Sequence, residues 1–259
     1  MKPWNVLLLT IAGLLLLSIF VVLTNLPAGA QPAATAERIP VIVELFTSEG
    51  CSSCPPADAL LSELEKSQPV ANAQIITLGE HVDYWNYLGW SDPFSNAIFS
   101  ERQQAYSQSL GSNTYTPQMV VNGRAEFNGG DAQKAAATIA RAIREPRAKL
   151  NISVGANAKF SVATTNIPTG VDAANLQVVL ALTENNLSSN VVRGENAGRV
   201  LKHRTVVRSI KVIGTPAKAE ANLSFEKNWK RENLQIVAFL QDSKTHRIYG
   251  ASVMAAPLT

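Results

Sequence analysis

The apolar positions of this chain change their period several times, and each change marks an element. Pro40-Val-Ile-Val-Glu-Leu-Phe46 is apolar throughout except at Glu44, the pattern of a strand covered on both faces. From Pro55 to Lys66 the period lengthens, with Ala57, Leu60, Leu61 and Leu64 on one helical stripe. Ala73 to Glu80 returns to a buried strand, and Asn96 to Leu110 predicts a helix with Phe99, Tyr106 and Leu110 on one face. Gln118 to Phe127 reads as two short strands about Asn122-Gly123, a dipeptide that accepts the positive φ angles of a tight hairpin turn. Asp131 is a candidate cap for a helix in which Ala132, Ala135, Ala136, Ile139, Ala140 and Ile143 keep helical spacing as far as Pro146.

Beyond Pro146 the helical period disappears. Leu150–Val154, Leu176–Leu182, Thr205–Ile213, Ala221–Phe225, Leu234–Leu240 and Arg247–Met254 are strand-like and separated by Gly, Asn, Pro and Asp clusters. Short strands with regular turn signals predict a small antiparallel sandwich. The expected organisation is therefore an α/β domain over residues 40–147 and an all-β domain over 148–259.

The N-terminus sets the compartment. Val6 to Leu23 carries no charge, and Pro27-Ala28-Gly29-Ala30 follows with the small residues of a cleavage site. Residues 1–30 are expected to be a secretory signal peptide and 31–39 a short lead-in, with a retained membrane anchor as the alternative. Either places the body of the protein in the periplasm or outside the cell. Of 23 basic residues only Lys2 is lost with that segment, which leaves 22 against 20 acidic ones. So even a balance, with no basic stripe, gives no case for a nucleic-acid partner.

That compartment gives meaning to Thr47-Ser-Glu-Gly-Cys-Ser-Ser-Cys-Pro-Pro-Ala-Asp58, which holds both cysteines of the chain, Cys51 and Cys54. At a helix start Cys51 would face unpaired amides and the positive end of the dipole, which favours the nucleophilic thiolate. Cys51 is then the attacking thiol and Cys54, one turn on, the resolving one. A structural staple is the plainer alternative, but a disulfide closing so short a loop removes only about 2 kcal/mol of chain entropy against about 4–5 for a loop of 100 residues. A zinc site is disfavoured by two cysteines and three histidines without paired ligand runs. No cofactor is called for, and copper held by Cys51, Cys54 and His81 is the alternative. Such a site would make the protein a non-enzymatic copper- or protein-binding module.

Strand, CxxC, helix, strand, helix, hairpin, helix is an order that resembles the thioredoxin fold. Thr116-Pro117 ahead of the hairpin adds to the likeness. Closer still, ELFTSEGCSSCPPAD, EHVDYWNYLGWSDPF, TPQMVVNG, RGENAGRVLKHRTVVR and VAFLQDSKTHRIYGA resemble a secreted bacterial family catalogued as domain of unknown function 1223. The resemblance implies thiol–disulfide chemistry on protein or small-molecule disulfides. It also implies a cis peptide before Pro117 facing the cysteines, with the Thr116 backbone free to bind substrate, and a buried acid near Glu44 beneath the resolving cysteine.

Other residues carry weaker signals. Glu44 amid Val, Ile, Leu and Phe would be desolvated and suited to proton exchange, or else ion-paired. His81-Val82-Asp83 would set His and Asp on one side of a continuing strand. Tyr84, Trp85, Tyr87, Trp90 and Phe94 form an aromatic insertion in which Trp85 and Trp90 are candidates to line a substrate groove, packing being the plainer role. Arg193, Glu195 and Arg199 read as a solvated loop or as a contact back to the cysteine domain.

Overall fold

A computed structural model of the protein describes residues 37–155 and 159–258. The expected signal peptide lies outside the described residues, among which no helix is long and apolar enough to cross a membrane. In chain order the elements are β1 (Ile39–Thr47), α1 (Pro55–Ser67), β2 (Ala73–His81), α2 (Ala97–Leu110), β3 (Gln118–Val121), β4 (Ala125–Asn128) and α3 (Ala132–Ala142). Then follow β5 (Lys149–Val154), β6 (Lys159–Thr165), β7 (Leu176–Glu184), β8 (Leu187–Asn190), β9 (Val200–His203) and β10 (Val206–Thr215). Last come β11 (Lys218–Asn222), β12 (Leu234–Asp242) and β13 (Ile248–Ala255).

The local patterns act as the sequence predicts. Asn122 and Gly123 both take positive φ, 47° and 60°, and turn β3 into β4. The Asp131 side chain accepts from the Lys134 amide and caps α3, as Asn96 caps α2 through Ile98. Along β1 the side chains alternate. Val41, Val43 and Leu45 pack with Ala57, Leu61 and Leu64 of α1 and with Ile139 of α3. Ile42 and Phe46 face the other way, toward Phe99 and Tyr106 of α2.

The long-range architecture departs from the expectation. One mixed sheet runs in the order β13-β12-β7-β10-β2-β1-β3-β4, straight across residue 147, and β11, β6 and β5 branch from β10. The fold is predominantly β, with α1 to α3 as the α-helices of the described residues. An α/β thioredoxin-like domain followed by a separate small sandwich is therefore not what the chain forms. The join is the pairing of β10 with β2, parallel, through Val206 and Gly79. The Gly79 amide also donates to the Thr205 carbonyl at 2.9 Å, and the Thr77 and Thr205 hydroxyls meet at 2.9 Å.

The reason is apolar area. Ile42, Phe46, Leu78 and Phe99 from the first half share one core with Val179, Ala181, Val207, Val237 and Phe239 from the second. The face of β1 and β2 beneath α2 is closed only by strands that come later in the chain. Periodicity identifies a strand and its faces but not a partner more than a hundred residues away.

Gly123 shows how tightly the halves meet. A Cβ there would overlap the His246 carbonyl, and the Ile248 amide donates to the Asn122 carbonyl at 2.9 Å. Gly123→Ala is expected to cost about 2–3 kcal/mol through clash and left-handed backbone strain. Urea denaturation should show that loss in one cooperative transition. Two separate transitions for the halves would contradict the continuous sheet.

Candidate functional site

Cys51 and Cys54 are joined as a disulfide with their Cα atoms 5.5 Å apart. The chain leaves β1 through a turn, the Cys51 amide donating to Ser48 and the Cys54 amide to Cys51. Cys54 is the N-cap of α1 and its carbonyl accepts from Ala57 and Asp58 at 2.9 and 3.1 Å. Pro55 and Pro56 fill the first helical positions and bring no amide hydrogens, so the helix start offers fewer donors to a thiolate than its dipole suggests. The Ser53 hydroxyl lies 3.3 Å from Cys51 Sγ. In the oxidised pair only the hydroxyl carries a proton, so it is the donor.

Behind the disulfide lies a buried cluster of acids and imidazoles. Glu49, fully buried, accepts at Oε2 from Trp90 Nε1 at 2.8 Å and at Oε1 from His203 Nε2 at 2.9 Å and from Ser189 Oγ. Its amide donates to Asp92 Oδ2, which also binds His81 Nδ1 at 2.7 Å. The His81 and His203 rings meet edge to face at 4.8 Å, and Phe94 packs on both. Asp58 joins from α1. It sits four residues after Cys54 on the buried face, a spacing that sets the two Cβ atoms about 5–6 Å apart.

The charges follow from these contacts. Burial would neutralise His81, but the charge and hydrogen bond of Asp92, with Asp58 and Glu49, overcome it and raise its pKa. Burial likewise pushes Asp92 up, and His81 reverses this to hold it below the usual range. For Asp58 burial wins over the opposing charges of His203 and His81, and its pKa is raised.

A segment far along the chain closes over this place. Asn196, fully buried, donates through Nδ2 to the Glu49 and Cys51 carbonyls at 2.8 and 2.9 Å. The Ser52 amide donates to Glu195 Oε2 at 3.0 Å. Of the two readings of the Arg193–Arg199 stretch, contact with the cysteine segment is the one the structure bears out.

The predicted residues fall into three groups. The Thr116–Pro117 bond is cis, and Pro117 packs with Ala57 of α1 around Gly129. Trp85 Nε1 donates to Thr116 Oγ1 at 2.8 Å, and the Trp85 Cβ lies beside Gly50, so Trp85 links Thr116 to the residue before Cys51. Trp90 is drawn inward as an anchor for Glu49. Glu44 is on the other face of β1, away from α1. There it binds Arg102 Nε at 2.7 Å and the Tyr106 hydroxyl at 2.6 Å, an ion-paired acid rather than a proton donor to Cys54.

Beside Glu44, Glu80 stands 3.5 Å from Arg102. Its carboxyl is held well above the usual range by burial first and by the Glu44 charge second. His81 pairs with Asp92 and not with Asp83, whose carboxylate instead accepts from Ser100 at 2.5 Å. Among the described residues no group of three or more His, Cys, Asp or Glu is arranged to hold a metal, and Cys51 and Cys54, two of the three ligands of the copper alternative, are joined to each other.

Sequence reasoning missed Glu49, Asp58, Asp92, Asn196 and His203. Asp58 alone left a local signal, an acid on the apolar stripe of α1 one turn after Cys54.

The family described as "Protein of unknown function (DUF1223)" matches residues 42–241. The crystal structure of protein AGR_C_4864 from Agrobacterium tumefaciens is 27% identical, with a TM-score of 0.65 over 89% of this chain and 98% of that one. HBP35 of Porphyromonas gingivalis shares the fold at 17% identity, with a TM-score of 0.56 over 85% of this chain and 76% of that one. There is no match among the curated proteins.

The His81–Asp92 pair makes a pH prediction. A raised native pKa for His81 contributes stability below about pH 6.5 that is lost as pH rises through the native value. A lowered one for Asp92 contributes stability above about pH 4 that is lost as pH falls. Asp92→Asn should therefore destabilise most between those limits, and the His81 imidazole should titrate at lower pH in NMR spectra. An unchanged His81 titration would show that Asp92 does not set its charge.

Proposed function

The chain belongs to the DUF1223 family of proteins of unknown function, and for this member we propose thiol–disulfide exchange at Cys51–Cys54 outside the cytoplasm. The observation that carries the reading is the set of buried ionisable groups flanking the disulfide, with Glu49 two residues before Cys51 and bonded to His203, and Asp58 four residues after Cys54. A disulfide serving only as a staple has no use for such a cluster, because burying ionisable groups costs stability. The disulfide itself and the apolar N-terminal run support an extracytoplasmic setting.

In the reduced protein the Cys51 thiolate attacks a substrate disulfide, forming a mixed disulfide and releasing one substrate thiolate. Cys54 then attacks the Cys51 sulfur, closes the protein disulfide and releases the second thiolate. Two electrons pass from the protein thiols to the substrate. The Cys54 proton goes to Asp58, whose burial keeps it basic enough to take it. His203, whose charge acts on Asp58, lies in the wall of a groove of about 620 Å³ between α1 and the β8–β9 hairpin and is the route by which that proton would reach water. Run backwards, the same steps oxidise a substrate dithiol.

The test is turnover of a model peptide disulfide by the reduced full chain, regenerated by a chemical reductant. Cys51→Ser should abolish turnover, Cys54→Ser should trap the mixed disulfide, and Asp58→Asn should slow resolution by about a hundredfold. A wild-type protein that forms no mixed disulfide, although both thiols are free, would sink the reading.

A further inference from the structure

Cys51 and Cys54 are both 0% exposed, although Ser52 and Ser53 between them lie open to solvent. A thiolate must approach a disulfide along the S–S axis, so exchange needs something above the sulfurs to move. The segment bonded to the backbone of the cysteine turn from the second half of the chain is the candidate. The Cys51 carbonyl and the Ser52 amide belong to one peptide unit, and it is held at both ends. Asn196 Nδ2 donates to the carbonyl and Glu195 Oε2 accepts from the amide. Asn196 donates a second time, to the Glu49 carbonyl, and the Glu195 carboxylate also meets the Ser52 side chain.

The loop is also built to move as a piece. Its ends are tied together by Val191 N–H to Arg199 O at 3.0 Å and Gly198 N–H to Val191 O at 2.8 Å. Ala197 N–H bonds to Gly194 O at 3.2 Å, and Arg199 Nη1 donates to Asn196 Oδ1 at 3.0 Å. Gly194 and Gly198, at φ 75° and 82°, flank the two anchoring residues in the left-handed region that glycine adopts without strain. Around Gly198 an added Cβ would meet nothing within 4 Å. Val192, Arg193, Ala197 and Arg199 are exposed, so the loop has a solvent side and a latched side.

We propose that residues 191–199 form a gate over the Cys51–Cys54 disulfide, latched by Asn196 and Glu195. The proposal rests on the exchange reading as the reason a gate exists, but the gate can be tested apart from it. With the latch closed, reagents reach the sulfurs only in the fraction of time the loop is lifted. Removing a latch increases that fraction and speeds attack without changing either sulfur.

The experiment follows reduction of the oxidised full chain by dithiothreitol, whose two thiols become a cyclic disulfide as Cys51 and Cys54 become thiols. Loss of the two buried Asn196 bonds in Asn196→Ala should raise the rate about tenfold, and loss of the exposed Glu195 contacts with Ser52 in Glu195→Ala about threefold. Near-UV circular dichroism establishes that each variant is folded, and Glu195, on the surface, decides the matter if Asn196→Ala is not. Wild-type reduction rates in folded variants would overturn the gate. Such rates alongside wild-type turnover of the peptide disulfide would discard the gate and keep exchange. Faster reduction in the variants, with no turnover by any form, would keep the gate and discard exchange.

Discussion

The buried carboxylate of Glu49 joins the two halves of this protein at the point where its chemistry sits. Two residues before Cys51, it accepts from Trp90 in the first half and from Ser189 and His203 in the second. An acid buried this deeply persists only when its lone pairs are met, so each of its three partners must be in place. That requirement fixes the β8–β9 hairpin over α1 and brings the Asn196 loop down onto the cysteine turn. It also complements the pairing of β10 with β2, since His203 and Val206 are separated by only two residues.

The two faces of β1 and β2 carry different kinds of buried charge. On the α2 side, Arg102 gathers Glu44, Tyr106 and Gln241 into a network whose hydrogen bonds are internal. That network ties the first half to β12. On the α1 side, burial raises the pKa of Asp58, while His81 and Asp92 shift in opposite directions because each holds the other's charge. This second cluster is next to the disulfide and beside a groove open to water. Ion pairing accounts for the first set. Under the proposed exchange, proton movement would give the second a use.

The sequence made the short-range structure legible because the signals there are local. Asn122-Gly123, Asp131 and the Ala57-Leu61-Leu64 stripe each specify an element within a few residues. Lys159–Thr165, Leu187–Asn190 and Val200–His203 escaped notice because they are short and mixed in polarity. The two halves read as separate domains because pairing between Val206 and Gly79 depends on apolar area that no local window contains. The site divides in the same way. Cys51, Cys54, Thr116 and Trp85 were visible from motif and order. Glu44 was misplaced because strand alternation sends it to the face opposite α1, and Asn196 and His203 came from a loop and a short hairpin that fold back over more than 140 residues.

The central claim is that this disulfide is a working couple and not a permanent staple. Its standard reduction potential, measured in a thiol–disulfide redox buffer on the full chain, addresses that claim most directly. Exchange couples fall between about −270 and −120 mV, and the account places Cys51–Cys54 within that range. A value below about −300 mV, where structural disulfides of exported proteins lie, would contradict it.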